Sequence, residues 1–148
     1  MSAIQPGGYA GDVSAKDAWD GLAKSAGATL IDVRTAAEWA YVGIPVLSSI
    51  GKTTVLVEWD EFPWGSLVPD FAGRLKAELD KLGTPKDAPL YFICRSGTRS
   101  RHAAVAATAA GYPRAYNVAH GFEGRLGPDR HRDSNESWKG EGLPWVQS

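Results

Sequence analysis

Residues 91–107 read YFICRSGTRSRHAAVAA, and the periodicity of the chain changes inside them. Leu90 to Ile93 is an unbroken apolar run, as a parallel strand buried on both faces should be. From Ala103 to Ala110 nearly every residue is alanine, small enough for a helix to lie close against a sheet. Gly111 and Pro113 then end that helix. Between the two segments sits Cys94, the only cysteine of the chain. A strand that passes into a helix through a short loop is the unit of a parallel sheet, so the stretch points to an α/β fold.

The same alternation continues outward. Pro69 and Asp70 open a helix in which Phe71, Leu75, Leu79 and Leu82 form one apolar stripe, and Gly83 with Pro85 ends it. Arg74 with Glu78, and Lys76 with Asp80, stand four apart on its solvent face. Residues 53–57 and 29–33 read as short strands. Nearer the N-terminus, Ser14 is an N-cap with Asp17 three positions on. Ala15, Ala18, Trp19, Leu22 and Ala26 follow at helical spacing, with Gly27 as a left-handed stop. Downstream, residues 115–118 form a last strand. Strands alternating with helices predict a parallel sheet covered on both faces. The expected organisation is an extension over 1–13, one domain over 14–124, and a polar, turn-rich tail over 125–148 packed on the domain through Trp138 and Trp145.

Composition narrows the function. With 148 residues, one domain with a real core is expected. A formal net charge of -1 argues against nucleic acid or an anionic membrane as partner, since both call for a basic patch. No apolar run approaches the ~20 residues of a membrane span. The start, MSAIQPGGYAGDV, has neither the basic residues nor the apolar core of a signal peptide, so a cytoplasmic location is expected. One cysteine and three scattered histidines (His102, His120, His131) make no disulfide and no metal-ligand spacing, and no cofactor is called for.

The position of Cys94 is therefore informative. Ligands of open parallel sheets bind at the carboxyl ends of the strands. The helix that starts there brings unpaired amides and a positive dipole end, which stabilise anions. For a thiol the consequence is more thiolate, the form that attacks. Gly97 lets the loop curl into an anion nest, and Arg95 and Arg99 add positive charge. A cysteine that merely filled core space would need neither the glycine nor the arginines.

CRSGTRS, residues 94–100, resembles the active-site loop of the rhodanese sulfurtransferases, C-R-x-G-x-R followed by Ser or Thr. LIDVR at 30–34, Glu38 with Trp39, and YNVAHGFEG at 116–124 occur in that family's order. The resemblance spans about residues 14–124. It implies the rhodanese fold, a three-layer arrangement with a five-stranded parallel sheet between helices. It also implies that Cys94 takes a sulfane sulfur from thiosulfate or a persulfide donor and passes it to cyanide or a thiol. Arg95 would hold the donor's anionic end, and the amides of Ser96, Gly97, Thr98 and Arg99 the persulfide sulfur. The related phosphatases separate cysteine and arginine by five residues, whereas four separate Cys94 from Arg99, and Ser100 stands where a phosphatase needs arginine. A segment of many family members, Gly-His-Ile-Pro-Gly-Ala, is replaced here by AYVGIPVLSSIG, so the family's histidine is missing from that side of the pocket.

Around the loop, Asp32 or Glu38 is expected to pair with Arg99 and hold it in shape, with a local turn or N-cap as the competing role for Asp32. Arg34 is expected to be a solvated strand-end residue, with a contact to substrate as the competing role. Trp39, Trp59, Phe62 and Trp64 either wall the pocket or cap the core. His102 and His131 read as surface residues; for His120, after the last strand, a role at the pocket is the lesser of two readings. One thiol in one bowl serves equally a turning-over sulfurtransferase and a carrier that hands its persulfide to a partner protein. A phosphatase or an inactive binding module is a third reading. Oligomeric state is not readable.

Overall fold

The computed structural model describes residues 8–61, 66–67, 69–124 and 136–147. Phe62, Trp64 and His131 lie outside them. The chain builds one five-stranded sheet, entirely parallel. It comprises β1 (Gly11–Val13), β2 (Thr29–Asp32), β4 (Val55–Leu56), β7 (Leu90–Ile93) and β8 (Ala115–Val118), in the order β1-β8-β7-β2-β4. β7 is the central strand, with Phe92 opposite Ile31 on one side and Asn117 on the other.

Alternation along the strands gives the sheet two apolar faces. Leu90, Phe92 and Cys94 of the central strand point with Ile31 and Val33 toward α3 (Phe71–Leu82) and α4 (Thr98–Ala109). Phe71, Leu75 and Leu79 from α3 and Ala103, Ala104 and Ala107 from α4 close that layer. Tyr91, Ile93 and Leu30 point the other way, onto Ala15, Ala18 and Leu22 of α1 (Ala15–Lys24) and onto Trp138. The expected architecture, a five-stranded parallel sheet with helices on both faces, is the observed one.

The caps explain where the helices start. The Ser14 hydroxyl accepts from the Asp17 amide at 3.0 Å, and the Asp70 carboxylate from the Gly73 amide at 3.2 Å. α1 nevertheless ends at Lys24, with Ser25 extended at φ -118°, so Gly27 is not its left-handed stop. α3 ends as expected on Gly83 at φ 70°, although Leu82 is exposed and leaves the stripe. On α3, Lys76 pairs with Asp80 at 2.6 Å, while Glu78 meets Lys81 rather than Arg74.

Two segments are more ordered than their composition suggests. Gly11–Val13, inside the segment expected to be an extension, pairs with β8 as the sheet's edge strand. In the tail, the Trp138 amide donates to Gly121 O at 2.9 Å, and its indole donates to Pro144 O at 2.7 Å, fully buried. β9 (Trp145–Val146) then pairs antiparallel with β3 (Ile44–Pro45), at the departure from the family segment noted above. α2 (Ala36–Val42) and the short hairpin of β5 (Asp60–Glu61) and β6 (Ser66–Leu67) complete the elements around the site.

Candidate active site

β7 delivers Cys94 to the carboxyl edge at the middle of the sheet, and α4 begins at Thr98. Gly97 makes the turn with φ 108°; a Cβ there would run into the carbonyl of Ala119. Cys94 is 1% exposed and belongs to the apolar layer beneath α4. Its sulfur nevertheless has polar company. The Gly97 amide donates to Sγ at 3.1 Å, and Ser100 Oγ lies 3.2 Å away. Gly97 is the loop amide found on the sulfur, from the four expected at Ser96 through Arg99.

The strand-to-helix loop is pinned from behind by the segment after β8. The amide of Phe122 donates to Cys94 O at 2.8 Å, and those of Glu123 and Gly124 to Arg95 O at 3.0 and 3.2 Å. These bonds explain why YNVAHGFEG accompanies the cysteine loop: one segment is the other's backing.

Arg99 grips Glu38. Nη1 and Nη2 donate to its two carboxylate oxygens at 2.6 and 2.9 Å, and Nη1 also reaches Asp60 Oδ1 at 3.4 Å. This is the planar, two-pronged contact that arginine makes with a carboxylate. Burial pushes the Glu38 carboxyl upward, but the bonds and charge of Arg99, the Thr35 amide and the charge of Arg34 outweigh it, and the group is held below the ordinary glutamate range. On Arg99, burial works against the charge; Glu38, then Cys94 and Asp60, reverse this and hold it protonated more firmly than usual. Glu38 is itself set by a capping box: Thr35 Oγ1 accepts from its amide at 3.2 Å, and its carboxylate accepts from the Thr35 amide at 3.2 Å.

Of the two carboxylates expected to meet Arg99, then, Glu38 does so and Asp32 does not. Asp32 pairs with Arg34 through a 2.6 Å bond between two fully buried side chains. Arg34 is not the solvated strand-end residue that its position suggested. It also donates to Gly43 O at 2.7 Å and stacks on the Phe122 ring at 4.3 Å, so it knits β2 to α2 and to the backing segment. Arg95 is half exposed and lies 3.4 Å from Glu123 Oε2. Ser96 is half-buried and Thr98 exposed.

The aromatic residues divide. Trp59 packs edge-on against Phe71 in the α3–α4 core and stacks beside the exposed His102. Trp39 is half-buried, with its indole nitrogen enclosed. His120 turns to Glu136, Nε2 to Oε2 at 2.6 Å. Asn117, Asp60 and Glu123 were not singled out from the sequence; only Asn117, a polar residue in the strand AYNV, carried a local signal. A hollow of about 380 Å³ beside the loop is lined by Asp12, Ser96, Gly97, Thr98, Arg101 and Asn117. A larger one, about 490 Å³, lies at the opposite edge of the sheet among Thr29, Lys52 and Pro85, away from any thiol. Among the described residues, no cluster of three or more His, Cys, Asp or Glu is placed to hold a metal, and no helix is long and apolar enough to cross a membrane.

A five-stranded parallel sheet with helices on both faces and this cysteine loop on its central strand define a rhodanese-like fold. The family model described as the STR4 middle domain matches residues 10–148, and the chain belongs to that family. It is 36% identical over 135 residues to an uncharacterized protein of Rickettsia conorii, covering 90% of this chain and 95% of that one. It is 28% identical over 134 residues to the chloroplastic rhodanese-like domain-containing protein 4 of Arabidopsis thaliana, covering 90% of this chain and 25% of the plant protein. Among solved structures, Rv0390 of M. tuberculosis superposes with a TM-score of 0.84 at 44% identity, covering 95% of this chain and 99% of that one. The polysulfide-sulfur transferase homodimer of Wolinella succinogenes gives 0.58 at 26% identity, over 93% and 78%.

Proposed function

We propose that this protein is a sulfurtransferase in which Cys94 carries the transferred sulfur as a persulfide. The observation that carries the reading is the setting of Sγ: the Gly97 amide and the Ser100 hydroxyl meet it at the first turn of a helix, where negative charge is stabilised. In the first half-reaction the Cys94 thiolate attacks the outer sulfur of thiosulfate or of a persulfide donor. The donor's S–S bond breaks, and sulfite or a thiolate leaves with the electron pair. In the second half-reaction a thiolate or cyanide attacks the outer sulfur of the persulfide, and Cys94 departs as thiolate. The loop amides are suited to the terminal sulfur, and Arg95, half exposed beside Glu123, to the donor's anionic end. Neither half-reaction needs a metal or an organic cofactor.

Loop size supports sulfur over phosphate. The position at which a phosphatase carries its arginine holds Ser100, fully buried against Sγ, while Arg99 is committed to Glu38. What remains at the sulfur is a small polar niche, matched to one atom better than to a phosphoryl group. Steady-state rates with thiosulfate and cyanide varied together test the reading. The expected result is the parallel double-reciprocal lines of a ping-pong reaction, and no turnover by Cys94→Ser. Intersecting lines, or turnover surviving in Cys94→Ser, exclude a Cys94 persulfide. Transfer from a persulfide donor only, with none from thiosulfate, makes the protein a carrier between partner proteins.

A further inference from the structure

Ser100 Oγ lies 3.2 Å from Cys94 Sγ and 2.5 Å from Asn117 Oδ1, yet a serine hydroxyl has one hydrogen to give. The amide of Asn117 cannot turn round to supply a second. Its Nδ2 donates to Asp12 Oδ1 at 3.0 Å and to Gly97 O at 3.1 Å, both pure acceptors, so Oδ1 is fixed toward Ser100. Asp12 Oδ1 is anchored in turn by the Tyr9 hydroxyl at 2.9 Å. Sulfur and amide oxygen therefore compete for one proton inside a buried cluster: Ser100 is 0% and Asn117 3% exposed.

We propose that Asn117 is a positioning residue that sets the direction of the Ser100 hydroxyl and so restrains the ionised form of Cys94. While Cys94 is a thiol, its S–H donates to Ser100 Oγ, Ser100 donates to Asn117 Oδ1, and every group is bonded. When the thiol proton leaves to solvent, Ser100 must swing its hydrogen to the sulfur, and Asn117 Oδ1 loses its donor. That loss is a cost the amide imposes on the thiolate. Once Sγ is bonded to a second sulfur it is a poor acceptor, and the hydrogen returns to Asn117. Asn117 would thus favour the loaded form over the bare thiolate, without itself bonding to the sulfur. The role in sulfur loading rests on the function proposed above; the effect on the thiol does not.

The test is alkylation of Cys94 by iodoacetamide at one fixed pH near neutrality, which needs no sulfur transfer. Asn117→Leu is expected to react about tenfold faster than wild type, the size of the buried Ser100–Asn117 hydrogen bond that ionisation no longer breaks. Ser100→Ala is expected to react more slowly than wild type, and Asn117→Leu is expected to add nothing in the Ser100→Ala background. Asn117→Val, a residue at home in a strand, carries the same test should the leucine variant not fold. A variant at Asn117 that reacts no faster than wild type overturns the proposal. So does an acceleration that persists without Ser100, because it marks simple loosening of the loop at Gly97. Failure of sulfur transfer with this pattern intact counts against the function alone.

Discussion

Arg99 illustrates how a residue near a reactive thiol serves it from a distance. Its guanidinium faces Glu38 and Asp60, and its charge reaches Cys94 only through space. Because Glu38 is held below its ordinary range in the folded chain, its charged form is what the fold stabilises. The sign follows: this contribution is full above the unfolded value and is lost as pH falls through the folded one. From this group, denaturation midpoints are expected to hold from neutral pH down to the ordinary glutamate range, about pH 4, and to drop as pH falls below it. Glu38→Gln should be less stable at neutral pH and should show a shallower drop; equal slopes for the two proteins would remove Glu38 from the acid response. Cys94, Gly97 and Arg99 were legible in the sequence because they stand within six consecutive residues. Arg34 was not. Besides Asp32, which is close in sequence, its partners are Gly43 O and the Phe122 ring, contacts that only the fold brings together.

At the scale of elements, the strand–loop–helix unit of β7 and α4 carries the site, and its geometry hinges on Gly97. The φ of 108° and the approach of the Ala119 carbonyl leave no room for a Cβ. Gly97→Ala is therefore expected to displace the loop amide from Sγ, with sulfur transfer reduced at least tenfold and a loss of roughly 1–3 kcal/mol in urea unfolding. Activity and midpoint both at wild-type levels would show that the observed turn is not needed. Element recognition succeeded where the pattern was long: β7, β8 and α3 lie within a residue or two of expectation. It failed for α2, although Thr35-x-x-Glu38 is a capping box in plain view, because the helix has only seven residues and none is buried. It failed for β1 because Gly-Asp-Val lacks strand character; the edge of β8, not local propensity, makes it a strand.

Across the whole molecule, residues 136–147 help to complete the second apolar layer. Trp138 is fully buried, 5.9 Å from Trp19 edge-to-face, and its backbone continues the segment that backs the cysteine loop. The sequence pointed to Trp138 and Trp145 as the anchors of a polar run, but did not separate the buried Trp138 from the partly exposed Trp145, because the surroundings of Trp138 come from α1 and the Gly121–Phe122 turn. Trp138→Ala should cost about 3–5 kcal/mol, read as a lowered urea midpoint; a loss under 1 kcal/mol would make the described tail an accessory.

The proposed activity requires above all that Cys94 store a sulfur atom. Intact mass after incubation with thiosulfate or a low-molecular-weight persulfide, followed by cyanide, measures this directly. The prediction is a gain of one sulfur on wild type, removed by cyanide and absent from Cys94→Ser. An unchanged mass with both donors, or the same gain on Cys94→Ser, would contradict it.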